Sequence, residues 1–295
     1  MRQQISVIIP SLNSQTIAYT LNALHAQTID LSQVEVLVVG LDQPGNIKED
    51  HLVRFVNTGK PTSAAHNRNL GIKEAKGDIL CFTDSDCVPS IDWLVRLTAP
   101  LLSGQVRVLG GGVTFDTDNY WSACDNLSWF YKFLATAAPG ERDHLPTLNL
   151  GLHREVVAQA GYMNENFPLP AGEDTEWTMR MRNQGYRLFF EPRAVVTHVE
   201  RRTTFKSMLR HAIHYGQFSP KVNNNKSNID SSSPRSPLVF RHLWLLLLAA
   251  PLIASAAAVR SISYAQIPNR WKFFPGVWVS KLAWCFGAVQ GGLSS

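Results

Sequence analysis

GDILCFTDSDCVP, residues 77–89, decides how this chain is read. Its first part, Ile79–Thr83, is short, apolar and rich in β-formers, which predicts a buried strand. Its second part places Asp84 and Asp86 one residue apart where that strand would exit. In open α/β sheets, ligands bind at the carboxyl ends of the strands. Two carboxylates there can hold a divalent cation against a diphosphate, and the cation offsets the charge that develops when a diphosphate leaves. A second acidic pair, Glu173-Asp174, lies in AGEDTEWTMR, residues 171–180.

Working outward, ISVIIP (5–10) and VEVLVV (34–39) are further apolar β-type runs. Between them Ile17, Leu21 and Leu24 recur at helical spacing, predicting a helix from Ile17 to Gln27. A strand over His51–Val56 and a helix over Ser63–Ala75 follow, leading into the strand before Asp84. This β-α-β alternation predicts a parallel, Rossmann-like half over residues 1–105. Beyond it the alternation becomes irregular. Gly110-Gly111-Gly112 reads as a turn, and an aromatic stretch follows at Tyr120, Trp121, Trp129, Phe130 and Tyr131. Glu173–Gln184 reads as a helix ended by Gly185, and Phe189–His198 as a strand. Residues 106–220 are expected to form a second, acceptor-binding half.

The charge is divided unevenly. The net of +5 combines an acidic first 200 residues with a C-terminal stretch, 201–295, holding 12 Lys and Arg and the single acid Asp230. In that stretch positive charge alternates with long aliphatic runs and not with stacking aromatics. It therefore suits an anionic membrane surface better than nucleic acid, which is not expected as a partner. Residues 203–218 can be drawn as an amphipathic helix with Phe205, Met208, Leu209, Ala212 and Ile213 on one face, suited to packing or to a membrane interface. Residues 221–237, rich in Asn, Ser and Pro, read as a linker. Residues 238–295 hold two apolar runs, Leu243–Val259 and 273–289, read as a shallow hairpin or two spans. The four cysteines show no CxxC pair or zinc spacing and are expected to be reduced thiols. Met1-Arg2-Gln3-Gln4 leads straight into a strand with no signal-peptide pattern, so this part of the chain is expected at the cytoplasmic face of a membrane.

Four stretches, in order, resemble family 2 glycosyltransferases, the inverting GT-A type. They are SVIIPSLN (6–13), HNRNLGIKEAKGDILCFTDSDCVP (66–89), NLGLHREVVAQAGYMNENF (149–167) and GEDTEWTMRMRNQGYRLFFEPRAVVTHV (172–199). The resemblance implies an α/β GT-A fold, a Rossmann-like mixed sheet flanked by helices, here followed by the C-terminal membrane-associated helical segment. It implies transfer of a sugar from a nucleotide diphosphate sugar to an acceptor hydroxyl. Pro10, Asn13, Arg68 and Asn69 would border the nucleotide. Asp84 would face the ribose or the metal, and Asp86 would ligate Mg²⁺ or Mn²⁺. His198 matches a position that supplies a further metal ligand in some relatives. Asp174 would be the general base, with Glu173 and Arg180 supporting it or contacting the acceptor. The membrane segment points to a lipid-linked saccharide as acceptor.

Two departures stand out. Where the family carries a DDGS-like acidic turn, this chain has Val39-Gly40-Leu41-Asp42-Gln43-Pro44. Asp42 either takes over nucleotide binding or is a surface turn residue. The QxxRW segment of processive relatives is absent, so one sugar per encounter is expected. Plainer roles compete at each site: loop caps for Asp84 and Asp86, a helix-start acidic pair for Glu173-Asp174, a structural histidine for His198, and core packing for Trp121 and Trp129. Two other functions also compete. FTDSDCV fits the nucleophile motif of haloacid-dehalogenase-like phosphatases, with Asp84 as nucleophile. A non-catalytic nucleotide-sugar-binding subunit is the second.

Overall fold

The computed structural model describes residues 4–167, 172–199, 202–229 and 243–293, with 218–229, 243–244 and 293 as backbone alone. It divides into two compact units, one of residues 1–114 with 138–199, the other of 115–137 with 200–295.

The first unit is built on a nine-stranded mixed sheet. β1 (Ile5–Leu12), β2 (Val34–Leu41), β3 (Val53–Asn57) and β4 (Ile79–Thr83) run parallel in the order β3-β2-β1-β4. Ile5 to Ile9 of β1 and all of β4 are buried, as expected of parallel strands covered on both faces. α1 (Ile17–His25) and α2 (Ala64–Glu74) are the crossover helices. The sheet then turns antiparallel: β8 (Asn149–His153) pairs β4, and β6 (Val108–Phe115) pairs β8. β9 (Leu188–His198) comes next, with β5 (Cys87–Pro89) and the short β7 (Gly140–Glu141) against it. α3 (Trp93–Leu102), α5 (Arg154–Ala160) and α6 (Glu173–Asn183) complete this unit.

Two expectations are corrected here. The sheet draws β8, β6 and β9 from beyond residue 105, so that position does not divide two halves. Gly110-Gly111-Gly112 is no turn but the middle of β6. A Cβ on Gly111 would overlap the Ala194 carbonyl and the Asn149 side chain, so glycine permits close approach here. Asn149, fully buried, donates to the carbonyls of Gly112 (2.9 Å) and Ala194 (2.8 Å) and accepts from Trp93 Nε1 (2.8 Å).

The second unit is helical: α4 (Tyr120–Phe130), α7 (Phe205–Ile229), α8 (Leu243–Tyr264) and α9 (Phe274–Leu293). A Cβ on Gly216 would overlap the Trp284 carbonyl, and one on Gly287 the Ile213 carbonyl, so α7 and α9 meet backbone to backbone. Asp125 is 2% exposed and accepts from His211 Nδ1 (2.7 Å) and Trp129 Nε1 (3.2 Å), with Arg202 at 3.5 Å. Trp121 packs on Tyr120 and Phe205, and Trp129 stacks on Tyr215. The expected linker is corrected in part: residues 221–229 continue α7, while 230–237 lie outside the described residues. Among the described residues, one helix is long and apolar enough to cross a membrane, Leu245–Tyr264, with a mean hydropathy of 2.0. The four cysteines are free and buried.

Candidate active site

The turn after β4 is fixed from two directions. Ser14 Oγ and Thr16 Oγ1, beyond the end of β1, donate to the Ser85 carbonyl at 3.1 and 2.9 Å. The amide of Val199 donates to the Asp86 carbonyl at 2.8 Å, and Cys87 lies opposite His198 in the β5–β9 ladder. Asp86 and His198 thereby come together, Oδ2 to Nε2 at 3.5 Å, and both are buried. Ligand atoms of Asp86, Cys87 and His198 all lie within 4.8 Å of one another. Oxygen, nitrogen and sulfur donors converging at this spacing fit a divalent cation. Burial, with Asp86 and Asp84 beside it, pushes the Cys87 thiol well up, so the carboxylate and imidazole are the readier ligands.

α2 carries an unusual burden. Its buried face is polar, with Asn67, Arg68 and Asn69 all nearly inaccessible. Buried polar groups of this kind call for partners, and here they have them. Arg68 Nη2 donates to Asp84 Oδ1 at 2.6 Å, and Nη1 to Glu173 Oε1 at 3.3 Å. Ser63 caps this helix by accepting from the His66 amide.

The second acidic pair sits in the first turn of α6, which follows Gly172 in a left-handed conformation. Phe82 of β4 meets Trp177 of α6 edge to face at 5.6 Å, and Trp177 Nε1 donates to the Gly161 carbonyl. Burial, reinforced by the adjacent Asp174 and opposed by Arg68, pushes the Glu173 carboxyl up to about 7. Burial also raises Asp174, against the pull of Arg68 and of the Thr175 amide, which donates to Oδ1 at 2.7 Å. The site can hold a cation at one end and a carboxylate with raised proton affinity at the other.

The structure thus brings Arg68, Asp84, Glu173 and Asp174 into one electrostatic cluster, and Asp86 and His198 into a second beside it. Five other candidates make framework contacts. Asp42 accepts from the amides of Asn46 (3.1 Å) and Ile47 (2.7 Å), closing its own turn, as in the plainer of its two readings. Asn13, at φ 49°, clasps the same loop through the Gln43 amide and side chain, and Pro10 lies within the β1–β2 ladder. Asn69 is turned to the Met163 backbone and to Glu165 Oε1. Arg180 binds Glu176 and the carbonyls of Ala160 and Tyr162, and makes no contact with Glu173 or Asp174 among the described residues. Asn69 and Arg180, expected beside the nucleotide and either behind the base or at the acceptor, are held by these anchoring contacts. Reading the sequence missed Ser14, Thr16 and Cys87. The first two were signalled only by hydroxyl residues clustered after a strand.

A carboxylate turn at the end of a parallel strand, with a second acidic pair linked to it through Arg68, is an arrangement open to anionic, cation-bound ligands in an α/β fold. The chain matches the model for glycosyl transferase family 2 over residues 6–145 and that for glycosyl transferase family group 2 over 79–290. It belongs to glycosyl transferase family 2. It is 32% identical to glycosyltransferase AglE of Haloferax volcanii over 67% of each chain. It is 27% identical to the probable glycosyltransferase YdaM of Bacillus subtilis, over 68% of this chain and 51% of YdaM. Among solved structures it resembles the Pyrobaculum calidifontis mannosyltransferase PcManGT, in complex with GDP-Man and Mn²⁺. The TM-score is 0.64 at 19% identity, over 99% of this chain and 88% of that one. Staphylococcus aureus TarS 1–349, in complex with UDP-GlcNAc, gives a TM-score of 0.54 at 14% identity, over 99% of this chain and 91% of TarS. The fold is GT-A-like. The family match runs through Asp84-Ser85-Asp86, the stretch on which the phosphatase alternative rested.

Proposed function

We propose that this protein transfers one sugar from a nucleotide diphosphate sugar to the hydroxyl of a lipid-linked saccharide, with inversion, at the cytoplasmic face of a membrane. The observation that carries this reading is the pairing of the two acidic clusters across Arg68. Asp84 and Asp86 face the donor diphosphate, and Asp84 is bound to Arg68 before the donor arrives. Asp174 takes the proton of the acceptor hydroxyl. As the acceptor oxygen bonds to the anomeric carbon from the far face, the bond to the diphosphate oxygen breaks and nucleoside diphosphate leaves. A raised carboxyl suits this task, since a base works best when its proton affinity approaches the working pH. Asp86 and His198, with Cys87 adjacent, would hold Mg²⁺ or Mn²⁺. When bound, the ion neutralises charge on the leaving diphosphate. The GDP-Man and Mn²⁺ named with PcManGT, and the UDP-GlcNAc named with TarS 1–349, support this assignment.

The membrane part of the proposal rests on the apolar helix Leu245–Tyr264 and on the positive charge of residues 201–295. A carrier lipid in the same membrane would supply the acceptor. The reaction is tested by equilibrium binding of UDP, GDP and dTDP to detergent-solubilised protein with and without Mn²⁺. One nucleotide is expected to bind in a Mn²⁺-dependent way, and Asp86→Ala is expected to abolish that binding. Failure of all three to bind would sink the proposal.

A further inference from the structure

Arg68 is 3% exposed and lies between carboxylates that belong to opposite ends of the proposed reaction. Its contact with Asp84, on the donor side, is short at 2.6 Å, while its contact with Glu173, on the acceptor side, is stretched to 3.3 Å. Charge-assisted N–H···O bonds run about 2.7–2.9 Å, so the second contact is far from saturated. Glu173 Oε2 is moreover buried without a hydrogen-bond partner. Leaving such an atom unpaired is costly. Asp84 and Glu173 thus draw on one guanidinium, through Nη2 and Nη1, and a second donor from it would satisfy Glu173 Oε2.

On these grounds we propose that Arg68 is a positioning residue that couples occupancy of the donor site to the Glu173-Asp174 pair. A cation and diphosphate at Asp84 and Asp86 draw Asp84 from Nη2, and the released guanidinium closes on Glu173. Held by a fork of two donors, Glu173 fixes the first turn of α6 and with it the adjacent Asp174. The acceptor end is thereby set when the donor is in place. This inference rests on the transferase reading above, in which Asp84 faces the donor.

Such coupling is reciprocal. If Glu173 loses its charge, Arg68 belongs wholly to Asp84 and competes with the incoming cation. Isothermal titration of the full-length protein with Mn²⁺ and whichever of UDP, GDP or dTDP it binds reads this directly. Glu173→Gln is expected to weaken Mn²⁺–nucleotide binding about fivefold or more. In an Arg68→Lys background, which keeps the charge but lacks the fork, the same change is expected to cost less than about twofold. Thermal melts verify that each variant is folded. Should Arg68→Lys melt early, Arg68→Gln replaces it as the background, and there too the effect of Glu173→Gln should vanish. An equal effect of Glu173→Gln in both backgrounds, or none in the wild type, overturns the coupling and leaves the transferase reading standing. A wild type that binds no nucleotide overturns that reading, and the coupling with it.

Discussion

Glu173 shows at the scale of one residue how the fold tunes chemistry. An unfolded chain releases this proton near 4.5, and the folded site near about 7, chiefly because the carboxyl is buried beside Asp174. Between those values the folded state holds the extra proton, so stability is greatest below the window and declines as pH rises through it. Metal-free protein is expected to lose melting temperature steadily between these two values, and Glu173→Gln to flatten the slope. Asp174, raised for the same reason, leaves a residual slope in the variant. Parallel pH profiles for wild type and variant would contradict this. Asp125 runs the other way: burial lifts it, but His211 and Arg202 outweigh burial and hold it below the usual carboxylate range. The proposed metal ligands make a similar point. Asp86 could be suspected from its spacing alone, whereas the approach of His198 depends on the β5–β9 register.

At the scale of elements, the contact of α7 with α9 rests on glycine. Because a Cβ at Gly287 would overlap the Ile213 carbonyl, Gly287→Leu must push the helices apart. It is expected to destabilise the protein by about 2 kcal/mol or more, read as a lowered melting temperature in detergent. An unchanged melt would show that the contact is dispensable. The elements also show what could be read from sequence. Continuous apolar runs marked β1, β2 and β4, since strands buried on both faces need no alternation. The helix bearing Glu173-Asp174 began at its acidic pair because charge at a helix N-terminus is stabilising. Gly110-Gly111-Gly112 misled, because a glycine needed for close packing looks like one needed for a turn. Residues 221–229 misled because Asn and Ser favour caps and loops, yet an established helix extends through weak formers one bond at a time. The anchoring roles of Asn69 and Arg180 depend on partners distant in sequence, which no local pattern reveals.

Taken whole, the chain joins a catalytic sheet unit to a helical unit of basic and apolar character. Exposed Leu248 and Leu252 on α8 are surfaces that water disfavours and a bilayer would cover. The full-length protein is expected to stay in the membrane fraction after an alkaline wash and to leave it only with detergent. Release by the wash would remove the membrane part of the proposal and leave the transferase chemistry untouched. The central claim is that Asp174 accepts the proton in sugar transfer from a donor held at the β4 turn. Its most direct test is turnover of labelled nucleotide sugars, with membrane lipid extract as acceptor, by wild type and Asp174→Asn. The variant is expected to bind donor still but to transfer sugar roughly 10²–10⁴-fold more slowly. Transfer at the wild-type rate by Asp174→Asn would contradict it.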